Sequence, residues 1–290
     1  MKKEDKTLYI EIATFLLFLL YLMPFAIVLI NASKPTLQII MSPIAFPENP
    51  SQLLKNIQTV WASPNVRYAS SFFSSVFITV ASVGLIVLCS SMAAWVLVRT
   101  KTILSGVIFM GFVAAMVIPF QVVMFPLISW FSFIETRLGF INTPFRLLQN
   151  YPGIIFAYLG FGSSLSIFLF HGFIKSVPLE LEEAATIDGC SRPGVFFKVV
   201  FPILTPITVT VMILNGMWIW NDYLLPLLVL GVGNTVQTLP LAVASFVGSF
   251  VRRWDLILTS TLLAMLPVII VFLILQKYII KGIVDGAVKG

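Results

Sequence analysis

Long apolar runs, each cut off by a short polar stretch, set the pattern of this chain. The first runs from Ile12 to Ile30. Five more cover about Ser70 to Val98, Ile103 to Leu127, Ile154 to Phe173, Pro202 to Leu230 and Leu256 to Leu275. A helix needs about 20 mostly apolar residues to cross the hydrocarbon core of a bilayer. The pattern therefore predicts an all-α membrane protein with about six transmembrane helices.

The stretches between the runs predict the organisation. Pro35, Pro43, Pro47 and Pro50 mark a segment that is not a helix interior. Ser51 to Trp61 reads as a short helix on the membrane surface, with Trp61 and Tyr68 in an interfacial belt. Residues 1–69 are thus expected to be an N-terminal span with an external loop, and residues 70–290 a core transmembrane domain. Ser71, Ser75 and Thr79 recur every four residues, a spacing that lets helices approach closely in lipid. Gly160, Gly162, Ser163, Ser164 and Ser166 give the fourth run a similar small-residue surface. Pro119 and Pro126 are expected to be tolerated within the third. Glu135 to Asn150 and Gly231 to Arg253 read as loops.

Composition supports the membrane reading. The chain is 59% hydrophobic and 10% charged, against roughly 25% charged in soluble domains. Its mean hydropathy is +1.01. The net charge of +6 does not suggest nucleic acid, because the basic residues gather at the ends of runs. With the N-terminus inside, eleven of the eighteen Lys and Arg residues face the cytoplasm: Lys2, Lys3, Lys6, Arg99, Lys101, Lys175, Arg192, Lys198, Lys277, Lys281 and Lys289. Both termini are expected there. Arg252-Arg253 is the odd pair outside. Lys2, Lys3 and Lys6 before an apolar run resemble a signal peptide, but the run exceeds the roughly 7–15 residues of a signal core, so it reads as an uncleaved span. Cys89, Cys190 and His171 suggest neither a disulfide nor a metal site.

One polar stretch has unusual physics. Residues 178–206 read PLELEEAATIDGCSRPGVFFKVVFPILTP. Glu180, Glu182, Glu183, Asp188, Arg192 and Lys198 require water. Leu179 to Ile187 is helix-compatible, with acidic residues where the helix dipole favours them. Gly189 and Pro193-Gly194 are expected to stop it. Ala184, Ala185 and Gly189 offer a small face for close docking.

These residues resemble the EAA loop of permease subunits in binding-protein-dependent ABC importers. The loop, at 176–201, carries Glu183-Ala184-Ala185, then Gly189, then Val199-Val200-Phe201-Pro202. Cys190 stands where a small Ala is usual, and Val199 and Phe201 replace Ile and Leu. Trp220 to Leu227 resembles the fifth-span motif of carbohydrate permeases. Gln276-Lys277-Tyr278 and the Gly-rich end resemble the tail of the smaller subunit typified by the maltose importer. The resemblance implies the type I ABC importer permease fold in a bacterial cytoplasmic membrane. It implies import of a sugar or oligosaccharide. The implied partners are a second permease subunit, two ATP-binding subunits and an extracytoplasmic solute-binding protein. Glu182, Glu183, Ala184, Ala185, Asp188, Gly189 and Arg192 would couple the chain to the ATPase. An alternative for Asp188 and Arg192, at i and i+4, is that they only stabilise the loop. The chain itself holds no phosphate-cradling Gly-x-x-x-x-Gly-Lys-Ser/Thr loop, so ATP would bind to the partner, with no cofactor here and no enzyme activity.

Polar residues inside spans mark pathways by default. Asn215, Trp218, Trp220, Asn221, Asp222 and Tyr223 are the candidates for contact with substrate. An interfacial aromatic belt with Asn221 and Asp222 supporting helix packing is an equal alternative. A permease for a non-sugar solute such as a glycerophosphodiester remains open. An ion-driven transporter would need buried ionisable residues, and Asp222 alone offers one.

Overall fold

A backbone in lipid satisfies its own N–H and C=O groups along a helix, and the apolar runs of this chain do form helices. The computed structural model describes residues 3–63, 67–139, 143–246 and 253–287. In chain order the helices are α1 (Lys3–Ala32), α2 (Thr36–Met41), α3 (Gln52–Ala62), α4 (Tyr68–Arg99), α5 (Ile103–Ala115), α6 (Phe120–Leu138), α7 (Tyr151–Ile174), α8 (Glu180–Ile187), α9 (Arg192–Val195), α10 (Phe201–Ile203), α11 (Thr205–Asn221), α12 (Leu224–Val229), α13 (Leu239–Ala244) and α14 (Trp254–Ala287). A π-helical turn, Phe196–Val200, joins α9 to α10. The described residues contain no strand.

Four stretches are long and apolar enough to cross a bilayer unbroken: Leu8–Ala32, Tyr68–Arg99, Tyr151–Ile174 and Trp254–Ile274. The third and fifth runs form bent helix pairs, which bring the count to the expected six if each pair is one span. α5 and α6 meet at 107°. Pro119 cannot donate to Ala115 and its ring crowds that carbonyl, so the helix stops and restarts at Phe120. Pro126, by contrast, stays inside α6. The second bend, 77°, lies between Arg192–Ile203 and Thr205–Asn221. Pro206 has no N–H for the Pro202 carbonyl, and the Thr205 hydroxyl donates to it instead, at 2.6 Å. The expected loops are also shorter than predicted. α6 continues to Leu138 and ends on Gly139, α13 lies within 231–253, and the basic tail is helical to Ala287.

The chain forms two compact units, residues 1–69 with 242–267, and residues 70–241 with 268–290. In the first, Lys34 is fully buried. Its ammonium donates to Asn31 Oδ1, Ser42 O and Pro43 O. Asn56 donates to the carbonyls of Ala32 and Lys34, which fastens α3 to the end of α1. Arg253 grips Asp255 through two hydrogen bonds, and this holds the guanidinium pKa above its ordinary value. Arg252 lies outside the described residues. In the second unit, α5 and α11 both pack on α7. Ser74 and Ser75 on α4 are buried. Ser74 Oγ pairs with Tyr151 Oη, and Ser75 Oγ accepts from Leu239 N. His171 stacks face to face on Phe109 with 3.7 Å between ring centres.

Candidate functional site

The acidic stretch folds as its chemistry dictates. α8 begins with Glu180, Glu182 and Glu183 in its first turn, where carboxylates offset the helix dipole. It ends in a two-bond cap: Cys190 N donates to Ala185 O and Gly189 N to Thr186 O, both at 3.0 Å. That cap requires a left-handed residue, and Gly189 supplies it at φ +85°. Ser191 then caps α9, its Oγ accepting from Gly194 N.

The helical period divides the predicted coupling residues into two sets. Glu183, Ala184, Asp188, Gly189 and Arg192 are exposed. Glu182 and Ala185 are buried, so neither stands on the water-facing surface expected of it. Glu182 accepts from Trp95 Nε1 at 2.9 Å and from Arg99 Nε at 2.8 Å. Asp188 and Arg192 form no ion pair; the pairs among the described residues are Arg99–Glu182 and Arg253–Asp255. Sequence reasoning missed Ile187, which is 86% exposed. It completes a face with Glu180, Glu183 and Ala184 by the i, i+3, i+4, i+7 rule. The available signal was an isoleucine at the end of a hydrophilic helix. Trp95 and Arg99 were missed too, since nothing in the chain order ties them to the loop.

The six span residues separate in the same way. Asn215 and Trp218 line one cavity of about 530 Å³ with Met116, Phe120, Phe161 and Ser164. Asn215 Nδ2 donates to Ser166 Oγ at 3.0 Å and to Val211 O at 2.9 Å. Gly162 permits this crowding. A Cβ there would lie 2.5 Å from Ile86 Cδ1 and 2.7 Å from Asn215 Oδ1. Trp218 meets Tyr158 edge to face. The other four residues do not line that cavity. Trp220 is buried edge-on against Phe72. Asn221 donates back to Met217 O. Asp222 accepts from Tyr158 Oη at 3.1 Å and from Leu224 N at 3.0 Å, which caps the turn into α12. Tyr223 is exposed. No cluster of three or more His, Cys, Asp or Glu suited to a metal occurs among the described residues.

Comparison with known proteins places this geometry in context. Residues 86–285 match the family described as binding-protein-dependent transport system inner membrane component. A Thermoanaerobacterium thermosulfurigenes protein, named a probable starch degradation products transport system permease, is 40% identical, with 93% of each chain covered. The multiple sugar-binding transport system permease protein of Streptococcus mutans is 34% identical over the full length of both. The melibiose/raffinose/stachyose import permease of Bacillus subtilis is 37% identical over 81% of this chain and 80% of its own. Among solved structures, a bacterial ABC transporter involved in the import of the acidic polysaccharide alginate superposes with a TM-score of 0.75 at 18% identity. The match covers 96% of this chain and 98% of that one.

Proposed function

The chain belongs to the family of binding-protein-dependent transport system inner membrane components, and on that premise we propose that it moves a sugar or oligosaccharide through the membrane by coupling to a separate ATPase. It is a transport permease, not an enzyme. The sugar class rests on the relatives, three of which carry carbohydrates in their names.

Coupling rests on one observation. The outward face of α8 offers the side chains of Glu183, Ala184, Ile187 and Asp188 to water, and none of them forms an ion pair among the described residues. Such a face, carried between α7 and the bent span that follows, is a docking surface of mixed apolar and acidic character. ATP binding in the partner would displace α8, and the two attached spans would follow. Glu183 and Asp188 would meet cationic or N–H groups of the ATPase, with Ile187 filling a small hollow. This reading requires the loop and both termini to lie in the cytoplasm. A second permease subunit would complete the translocation path, and a solute-binding protein would deliver the sugar from outside. Asn215 and Trp218 are the residues of this chain best placed to touch cargo, through an amide and an aromatic face.

The test is affinity purification of the tagged chain from its native membrane, followed by sugar uptake in reconstituted vesicles. Recovery of an ATPase and a second permease, with uptake that depends on internal ATP, is the expected result. A lone chain that transports without nucleotide would refute it.

A further inference from the structure

Glu182 is the one carboxylate of α8 turned away from water, and its partners lie 83 and 87 residues earlier in the chain. Both its oxygens are occupied. Arg99 places Nε at 2.8 Å and Nη2 at 2.7 Å from Oε1, while Trp95 Nε1 donates to Oε2 at 2.9 Å. Arg99 Nη2 also donates to the Val177 carbonyl at 3.0 Å, on the near side of the turn that opens α8. Trp95 packs its ring on Phe196, 5.3 Å between centres, where the chain leaves the loop for the next span. One side chain of α4 therefore holds the entry to α8, and the other holds its first turn and the exit from the loop.

The geometry points to a mechanical latch: Trp95, Arg99 and Glu182 fix α8 to the end of α4, so that a push on α8 is delivered to α4 and not absorbed by the loop. This deepens the coupling reading and rests on it. Ala185 is the only other residue that α8 buries, and one methyl group cannot hold an eight-residue helix against lateral force. A guanidinium that bonds the Glu182 carboxylate and the Val177 carbonyl together can, because these bonds are directional and charge-assisted. Buried, and with both oxygens engaged inside the chain, Glu182 is turned away from any docking partner. It is a positioning residue, and the docking contacts fall to its neighbours on the opposite face.

The experiment uses the full complex in lipid nanodiscs. Native thiols are removed (Cys89→Ser, Cys190→Ser) and spin labels are placed at Lys101→Cys, just past α4, and Thr186→Cys on α8. The latch predicts one narrow distance distribution that is the same without nucleotide and with ATP. A distance that shifts with ATP would show that α8 slides free of α4 and would overturn the proposal. A second readout is sugar imported per ATP hydrolysed. Arg99→Ala and Glu182→Gln should lower this ratio about tenfold, within the usual range of coupling between sites, while the ATPase still co-purifies. An unchanged ratio overturns the latch. If Arg99→Ala fails to assemble, the distance measurement on the labelled parent still decides. Absence of any ATPase from the parent complex would sink the underlying coupling reading instead.

Discussion

The acidic loop and the Asn215–Tyr223 stretch both carry polar residues amid apolar sequence, yet they treat them in opposite ways. On α8, the helical period turns Glu182 and Ala185 inward and leaves Glu183, Ala184, Ile187 and Asp188 in water. Asp188 and Arg192 form no ion pair among the described residues. In the 215–223 stretch the polar groups close on the chain itself. Asn215 bonds Ser166, Asn221 bonds its own helix, and Asp222 bonds Tyr158 and Leu224. Water satisfies an exposed group at no cost, so the loop can keep its hydrogen-bonding capacity for a partner. A group in lipid must find its partner within the protein. The loop thus keeps its exposed polar groups available for the partner proposed above, while the span stretch commits most of its own to packing.

The sharpest way to break this contrast is Gly189→Pro. Proline fixes φ near −65°, against +85° here, and removes the N–H that bonds Thr186. The variant is expected to insert at normal levels and to lose sugar uptake entirely; retained uptake would mean the loop is no lever. Next comes Gly162→Ala in the span region. The methyl would collide with Ile86 and Asn215, and about 1–3 kcal/mol of stability should be lost, read as a lower unfolding temperature in detergent. Gly160→Ala is the control, because nothing lies within 4 Å of its Cβ. Tyr158→Phe should cost about 1–2 kcal/mol by stranding Asp222, in the same assay. The smallest effect belongs to Asp188→Asn, which should leave stability within about 0.5 kcal/mol. A clear drop there would mean that Asp188 pairs with Arg192 in solution.

Six apolar runs were plain in the sequence because lipid demands continuous hydrophobicity, and α8 was plain because its acidic first turn and Gly189 are local signals. The bends were not. Pro119, Pro126 and Pro206 look alike in a sequence, but Pro126 sits inside a helix while Pro119 and Pro206 flank breaks. Every proline frees a carbonyl one turn back, so the residue type alone does not say where a helix breaks; at Pro206 the Thr205 hydroxyl takes up the Pro202 carbonyl at the break. The exposed face of α8 was legible in part: Glu183, Ala184 and Asp188 meet water, whereas Ala185 turns inward and Ile187 outward, an orientation that the local acidic signal does not reveal. The inward role of Glu182 was not legible, because Trp95 and Arg99 lie far away in the chain and no spacing rule connects them. Asp222 looked like a pathway residue for the same reason: its Tyr158 partner belongs to another helix.

Ile187 gives the most direct test of whether the outer face of α8 meets an ATPase in the cytoplasm. A photo-crosslinking amino acid at this position should, on irradiation of intact cells, join the chain to the ATP-binding subunit and to no external protein. A crosslink to the solute-binding protein, or reaction of a cysteine at 187 with a membrane-impermeant reagent added outside, would place the loop on the wrong side of the membrane and contradict the account.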